Sequence, residues 1–496
     1  MSKRISKSEM LKGIKTMNSF GSRITGSKGQ LDFINYLKNE IREMGLEIYI
    51  DPFFFKKWEK KEASLKVYGY NGPEDIEISS VFPYSGETKD SGITSELVYS
   101  GGDKIAGVKD KIAVVEVTQI TELPSELAFD KRSSYPDDVT LPTNYTGPVA
   151  TTFVKFTYAR IAKLKGARAV IFIWKGISDE CVKGQYLPFI LEYQGIPALW
   201  VGEKEGERIK EAAQAHRTAT ITLTADTQRH AYTESFYCMI PGKNEKESVI
   251  INTHTDGTNC VEENGPIALL QLIKTMKDTQ PERTHIFVFV TGHFRLPMFR
   301  DITGGGIQAT SKWLAMHRDL WDGKSGHLKA VAGVSVEHLG CMEWADIDGE
   351  YKATGEIQTE LVYTGNIQMN DIYMDTVRER NLVRTMTLRG HNLLHFGEGQ
   401  PLFNVGIPEI SIVTAPDYLC VESESHEMEK FNIDLMYEQT KTFEKIIKKI
   451  DSFSAKDIGN CDDYSIVKYN SVSGKNDMNI NTIKRKVLSV ITKKND

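Results

Sequence analysis

The chain has 496 residues, 40% of them hydrophobic, enough to bury the cores of two or three domains without staples. Its 61 basic and 67 acidic residues leave a net charge of −6 with neither sign segregated, which argues against nucleic acid as a partner. Six cysteines without a CxxC pair, no secretory h-region in MSKRISKSEMLKGIKTM and no apolar run of about 18 residues argue against a disulfide frame and a membrane span, so a cytoplasmic protein is expected.

The first element is an amphipathic helix in QLDFINYLKNEIREMGLE. Leu31, Ile34, Leu37, Ile41 and Met44 recur at helical spacing, and Gly45 is placed to end it. It belongs to a helical part covering residues 1–55. From 56 to 227 the texture changes to short β-rich runs (SLKVYG, ITSELVYSGG, KIAVVEV, ARAVIFIW, PALWVG), which predicts a separate, mostly β module inserted into the chain. Within it the stretch Phe129 to Gly147 lacks apolar periodicity, and its length suits a lid over a crevice.

From 228 to 452 apolar strands alternate with amphipathic helices: SVIINTH, PIALLQLIKTMK, HIFVFVTGH, IQATSKWLAMHRDLW, AVAGVSVEH, PEISIVT and a helix near LMYEQTKTFEKIIKKI. Continuous Val/Ile-rich strands separated by helices predict an α/β, doubly wound, mostly parallel sheet flanked by helices. The tail, 453–496, is polar and ends in the basic TIKRKVLSVITKKND, so a flexible or peripherally docked appendage is expected.

No histidine precedes His216, and nine of the eleven lie from His254 onward. Three strands of the predicted sheet end in residues that bind metals or move protons. His254 and Asp256 follow SVIINT, His293 follows IFVFVT, and Glu337 with His338 follows AVAGVSV. In a doubly wound sheet ligands bind at the carboxyl ends of the strands, so these points should be neighbours in space. Glu262 and Glu263 sit in the loop before Gly265, at the mouth of the next helix, where carboxylates gain from the helix dipole.

These motifs resemble the M28 family of zinc aminopeptidases with an inserted protease-associated (PA) domain, from about residue 10 to about 450. FGSRITGSKGQLDFINYL is similar to the family's N-terminal helix, and GGDKIAGVKDKIAVVEV with FTYARIAKLKGARAVIFI is similar to the PA module. THTDG matches the family's H-x-D motif, and NVGIPEISI its late G-I-P strand. The resemblance implies a zinc-exopeptidase-like fold.

The family's zinc pair uses a first His, a bridging Asp, a Glu, an Asp and a final His, with a second Glu as base. Here His254 stands as the first His and Asp256 as the carboxylate that orients it. The bridging Asp falls on Val261, beside Glu262 and Glu263. The Glu pair falls on His293 and Phe294, and Glu337 replaces the Asp. The final His falls near Leu419, with His426 the nearest stand-in. The usual two-zinc centre is therefore not expected, and the pattern reads as a rebuilt site.

Three functions follow. The first is a hydrolase of amide or peptide bonds with one zinc or other divalent ion. Its ligands would come from His254, Glu337, Glu263 or Glu262, and His426; His293 would be the general base and Asp256 would fix the tautomer of His254. The second is a metal-free acid–base enzyme on a small molecule, using His293, His338 and Glu262 or Glu263, with Phe294 and Trp344 lining an apolar pocket. The third is a catalytically silent relative kept for binding. A small-molecule or peptide substrate is expected, no membrane partner, and a homo-oligomer is compatible with the sequence. Specificity should come from the Phe129–Gly147 stretch and from MFRDITGGGIQ, Met298 to Gln308.

Overall fold

The chain is described here from a computed structural model that covers residues 4–69, 72–102, 104–294, 308–391 and 395–462. Its C-terminal half is organised by the β-branched runs. The strand Asn244–His254 lies between Arg283–Val290 and Lys329–Val336, parallel to both, with Ile251 opposite Phe287 on one side and Val334 on the other. Glu409–Ile412 continues the parallel set beside Lys329–Val336; Glu360–Thr364 then pairs antiparallel to it, and Thr385–Arg389 follows parallel to Glu360–Thr364.

Side chains alternate between two cores, as a pleated strand requires. Val249, Ile251, Phe287 and Phe289 pack with the helices Lys7–Ser19, Lys28–Glu43, Gly265–Met276, Ile367–Val377 and Ile433–Ser452. Ile250, Ile286, Val288 and Val290 face the opposite layer, against Trp313, Leu314 and Leu402. Both faces are covered, which is why these strands read as continuous apolar runs.

The N-terminal helices are set by local chemistry. Ser6 and Ser27 each cap a helix by accepting the N–H three residues on, and helix Lys28–Glu43 buries Phe33, Ile34, Leu37 and Ile41 at i, i+1, i+4 and i+8.

The strands between 93 and 201 are joined to this body by a long ribbon. Tyr49–Gly69 pairs antiparallel with Thr218–Ile240, from Tyr49 opposite Tyr237 to Val67 opposite Ala219. The boundaries expected at 55/56 and 227/228 thus fall inside strands that run through both parts. Beyond the ribbon, Ile93–Tyr99, Ile112–Thr118, Ala169–Lys175 and Ala198–Val201 form a parallel set with its own apolar clusters, and helices such as Glu203–Gln214 pack on it.

The Phe129–Gly147 stretch leaves this module and reaches the body. Lys131–Tyr135 pairs antiparallel with Thr385–Arg389 and becomes the edge strand of the main sheet. Of the tail, helix Ala455–Ile458 is docked through the buried Ile458, and Asp462 pairs with Arg132. TIKRKVLSVITKKND lies outside the described residues, as does all of Met298–Gln308 except Gln308. No helix among the described residues is long and apolar enough to cross a membrane.

Candidate active site

The three strand ends meet. His254 is the last residue of its strand, with Val290 opposite it, and the chain turns there into a buried loop. His293 follows Gly292, whose φ of 106° only glycine adopts freely, and its ring stacks on that of His254 with centroids 4.1 Å apart. Glu337 directly follows the strand ending at Val336. His338 sits at φ 56°, in the left-handed region that few residues other than glycine adopt and that histidine tolerates better than most.

Glu262 and Glu337 are the carboxylates among these rings. The His254 Nε2 lies 3.2 Å from Glu337 Oε2. The His338 Nε2 lies 3.9 Å from the same oxygen and 3.7 Å from Glu262 Oε1, and the His293 Nε2 lies 3.5 Å from Glu262 Oε1. All five side chains are buried.

Each imidazole has its outer nitrogen committed. Nδ1 of His254 donates to the backbone carbonyl of Asp256 at 2.9 Å, and Nδ1 of His338 to that of Thr414 at 2.9 Å. Nδ1 of His293 donates to Glu398 Oε1 at 2.8 Å. A carbonyl can only accept, so Nδ1 of His254 and of His338 carries a proton and Nε2 is turned inward.

Glu398 is held as an acceptor by the N–H groups of Ala309 at 3.2 Å and Thr310 at 2.7 Å, and its own N–H donates to Glu337 Oε1 at 2.8 Å. Glu398 is not among the residues expected from the sequence. Its signal is slight: one acid between two glycines in FGEGQ, ahead of the short helix Gln400–Asn404.

Burial and charge push the cluster apart electrostatically. Burial opposes a charged His254, but Glu262 and Glu337 outweigh it and hold its pKa well above the ordinary imidazole range. Burial, reinforced by the His254 charge, takes His293 down to about 3, and burial does the same for His338 against the pull of Glu337. Burial raises Glu262 well above the carboxylate range, while Glu337 stays below it because His254 and His338 outweigh its burial.

The residues fit a metal ion. Among the described residues, His254 Nε2, His338 Nε2, Glu337 Oε2 and Glu262 Oε2 are buried and have no hydrogen-bond partner of good geometry, a cost of about 1–3 kcal/mol each unless something shared satisfies them. Among the described residues, two triads place their ligand atoms within 4.8 Å of one another: His254, Glu337, His338 and His254, Glu262, His293. With metal–ligand bonds of about 2.0–2.1 Å the edges of a tetrahedral site are about 3.3 Å, so the first triad needs little adjustment.

Several expected roles change. The Asp256 carboxylate does not orient His254; the Asp256 backbone carbonyl does. Its Oδ2 instead accepts from the Thr25 hydroxyl and, at 3.1 Å each, from the N–H groups of Gly292 and Phe294, so it clamps the loop on both sides of His293. Glu263 is in neither triad, and its Oε1 pairs with the buried guanidinium of Arg23. His426 is in neither triad. It sits at φ 52° with its carbonyl accepting from Cys260 N–H at 2.9 Å, and burial, then Arg23, lowers its pKa.

Val261 is core, and Phe294 packs with Ile24, Tyr186 and Phe189 rather than against substrate space. Trp344 lies against Tyr351 and beneath the Lys430 ammonium, away from the cavity. Glu262, His293 and His338 open onto a cavity of about 90 Å³ whose walls come from the Phe129–Val149 region, Phe189 and the main sheet. At ~15 Å³ per water this space admits about six waters, which suits a small group and not a folded chain.

Comparison with solved structures finds aminopeptidases, among them a zinc aminopeptidase, and an M28 peptidase precursor with the same fold. The aminopeptidase from Aneurinibacillus sp. strain AM-1 is 17% identical with a TM-score of 0.58, covering 94% of this chain and 99% of that one. BSAP, a zinc aminopeptidase from Bacillus subtilis, is 14% identical with a TM-score of 0.61, covering 91% and 98%. The M28 peptidase precursor from Shewanella amazonensis SB2B is 13% identical with a TM-score of 0.60, covering 90% and 93%. No protein-family model and no curated protein matches the sequence. At these identities the likeness carries the fold: an α/β body with a large, mostly parallel sheet between helices.

Proposed function

We propose that the chain is a hydrolase of amide- or peptide-type bonds working with one divalent ion, zinc or a similar metal, in a rebuilt site. The observation that carries this reading is the orientation of the imidazoles. His254 and His338 spend their Nδ1 protons on backbone carbonyls and His293 sets its Nδ1 on Glu398, so that all three Nε2 atoms converge on Glu262 and Glu337. A donor set of imidazole nitrogen and carboxylate oxygen, each oriented by an outer partner, suits zinc.

His254 Nε2, His338 Nε2 and Glu337 Oε2 would hold the ion. It would supply a Lewis acid for a carbonyl oxygen. Glu262 and His293 handle the proton. Burial raises the Glu262 carboxyl and lowers the His293 imidazole 3.5 Å away, so a proton between them rests on Glu262 and leaves His293 Nε2 as an acceptor beside it. Glu398 steadies the positive charge on His293 when its Nε2 takes the proton.

Elemental analysis of protein purified without chelator tests the reading. One equivalent of a divalent metal is expected, falling to none in His338→Ala, together with turnover on a panel of amides and short peptides. Turnover with no metal bound would replace this reading by a metal-free Glu262–His293 acid–base enzyme, and metal-free protein without turnover would end both.

A further inference from the structure

The cavity in front of the cluster has a largely aromatic wall. Phe129 meets Tyr145 edge-on, centroids 5.2 Å apart at 81°, and Phe396 at 6.0 Å and 55°. Phe189 and Tyr363 complete a largely aromatic lining. In this lining, apart from Glu262, His293 and His338, the charged residue is Asp417. It is half-buried, and among the described residues no group donates to its carboxylate, although its backbone carbonyl is held by Gln185 Nε2 at 2.7 Å.

Gly147 keeps that carboxylate accessible. A Cβ there would stand 2.8 Å from Asp417 Oδ1. Asp417 also stands near enough to Tyr145 for its charge to raise the phenol, and burial with the charge of Asp346 pushes Asp417 itself up to about 7. Among the described residues Asp417 makes no ion pair with His293 or His338, whose carboxylate partners are Glu262, Glu337 and Glu398, so it stands apart from the reacting groups.

An anion set among aromatic faces is a receptor for an organic cation. Ring quadrupoles attract an ammonium at roughly 0.5–2 kcal/mol depending on desolvation, and a carboxylate without a donor supplies the counter-charge. We propose that the site takes a small substrate with an apolar body and an organic ammonium group, the ammonium seated between Asp417 and the faces of Phe129, Tyr145 and Phe396, away from the bond that is cleaved. Calling the occupant a substrate rests on the hydrolase reading above; the binding preference itself does not.

The test is calorimetric titration of the full chain, at about pH 8 so that Asp417 is ionised and an alkylamine still charged, with 2-phenylethylammonium and its neutral analogue 2-phenylethanol. The cation is expected to bind roughly 10–30-fold more tightly, the gain a desolvated cation–aromatic contact and a counter-ion give. In Asp417→Asn the two probes should bind alike, and in Phe129→Leu the cation should lose more than the alcohol. Equal affinities in the unaltered protein, needing no variant to fold, or an undiminished preference in Asp417→Asn, would overturn the proposal. Repeating the titration in His338→Ala separates the two readings. A preference that persists there in protein without metal leaves the cation site standing if the hydrolase reading fails, and loss of preference in active protein does the reverse.

Discussion

Glu398 and His293, 105 residues apart in the chain, are joined by a hydrogen bond of 2.8 Å between Oε1 and Nδ1 inside a buried site. The same glutamate reaches Glu337 through its backbone N–H, so one loop residue sets both the ring that handles the proton and the carboxylate beside the metal triad. Partners of this kind are worth about 10–100-fold in activity or metal affinity. Glu398→Gln, which keeps the shape and removes the charge, is expected to lower kcat in that range with KM little changed and to displace the pH–rate profile. A profile identical to that of the unaltered enzyme at reduced kcat would show that Glu398 serves the fold alone.

Arg23 and Glu263 form an ion pair with both side chains fully buried. Removing one partner strands the other charge, which costs about 3–5 kcal/mol. Glu263→Ala should therefore lower the denaturant midpoint strongly while the folded fraction keeps its metal stoichiometry. Loss of metal without loss of stability would make Glu263 a ligand after all.

Gly397 lies at φ 78°, and a Cβ there would stand 2.1 Å from Glu337 Oε1 and 2.3 Å from Val413. Left-handed backbone costs an L-residue about 1–2 kcal/mol before any clash. Gly397→Ala is expected to reduce stability and, by displacing Glu337, to weaken metal binding in parallel, read by competition with a chromogenic chelator. Unchanged metal affinity would dissociate Glu337 from the ion.

Phe294 occupies the position at which the resemblance to M28 enzymes calls for a carboxylate, and its ring is buried against Ile24, Tyr186 and Phe189. Phe294→Ala should cost about 3–5 kcal/mol of stability. Because its backbone N–H, which any residue retains, holds Asp256, the folded protein should keep its metal stoichiometry. A gain of a second equivalent of metal would contradict a one-ion site.

Much of the body was legible from local pattern. The runs at 248–254, 284–290 and 330–336 are apolar on both sides of the pleat because each is sandwiched between Ile250-type and Ile251-type layers, and such runs alternating with helices leave few arrangements other than a parallel sheet. The meeting of residues 254, 293 and 337 follows from that sheet, since parallel strands bring their carboxyl ends to one edge. The edge strand Lys131–Tyr135 was not legible, because its pairing with Thr385–Arg389 is made across some 250 residues by a segment with no alternation of its own.

What the sequence determined by itself is which residues could arrive at the crevice, because the hydrophobic period of a strand and the place where it stops are local properties. Tertiary structure alone decided which atoms face one another there. Glu262 and Glu263 are neighbours in the chain, yet only the second meets Arg23, 240 positions away; Asp256 offers His254 its carbonyl and gives its carboxylate to Thr25 and the Gly292–Phe294 loop; and Glu398 arrives from a loop with no periodicity at all. Ligand and proton chemistry turns on separations of 3–4 Å and on which side of a ring carries its proton, and those are set by packing between segments that no local pattern links.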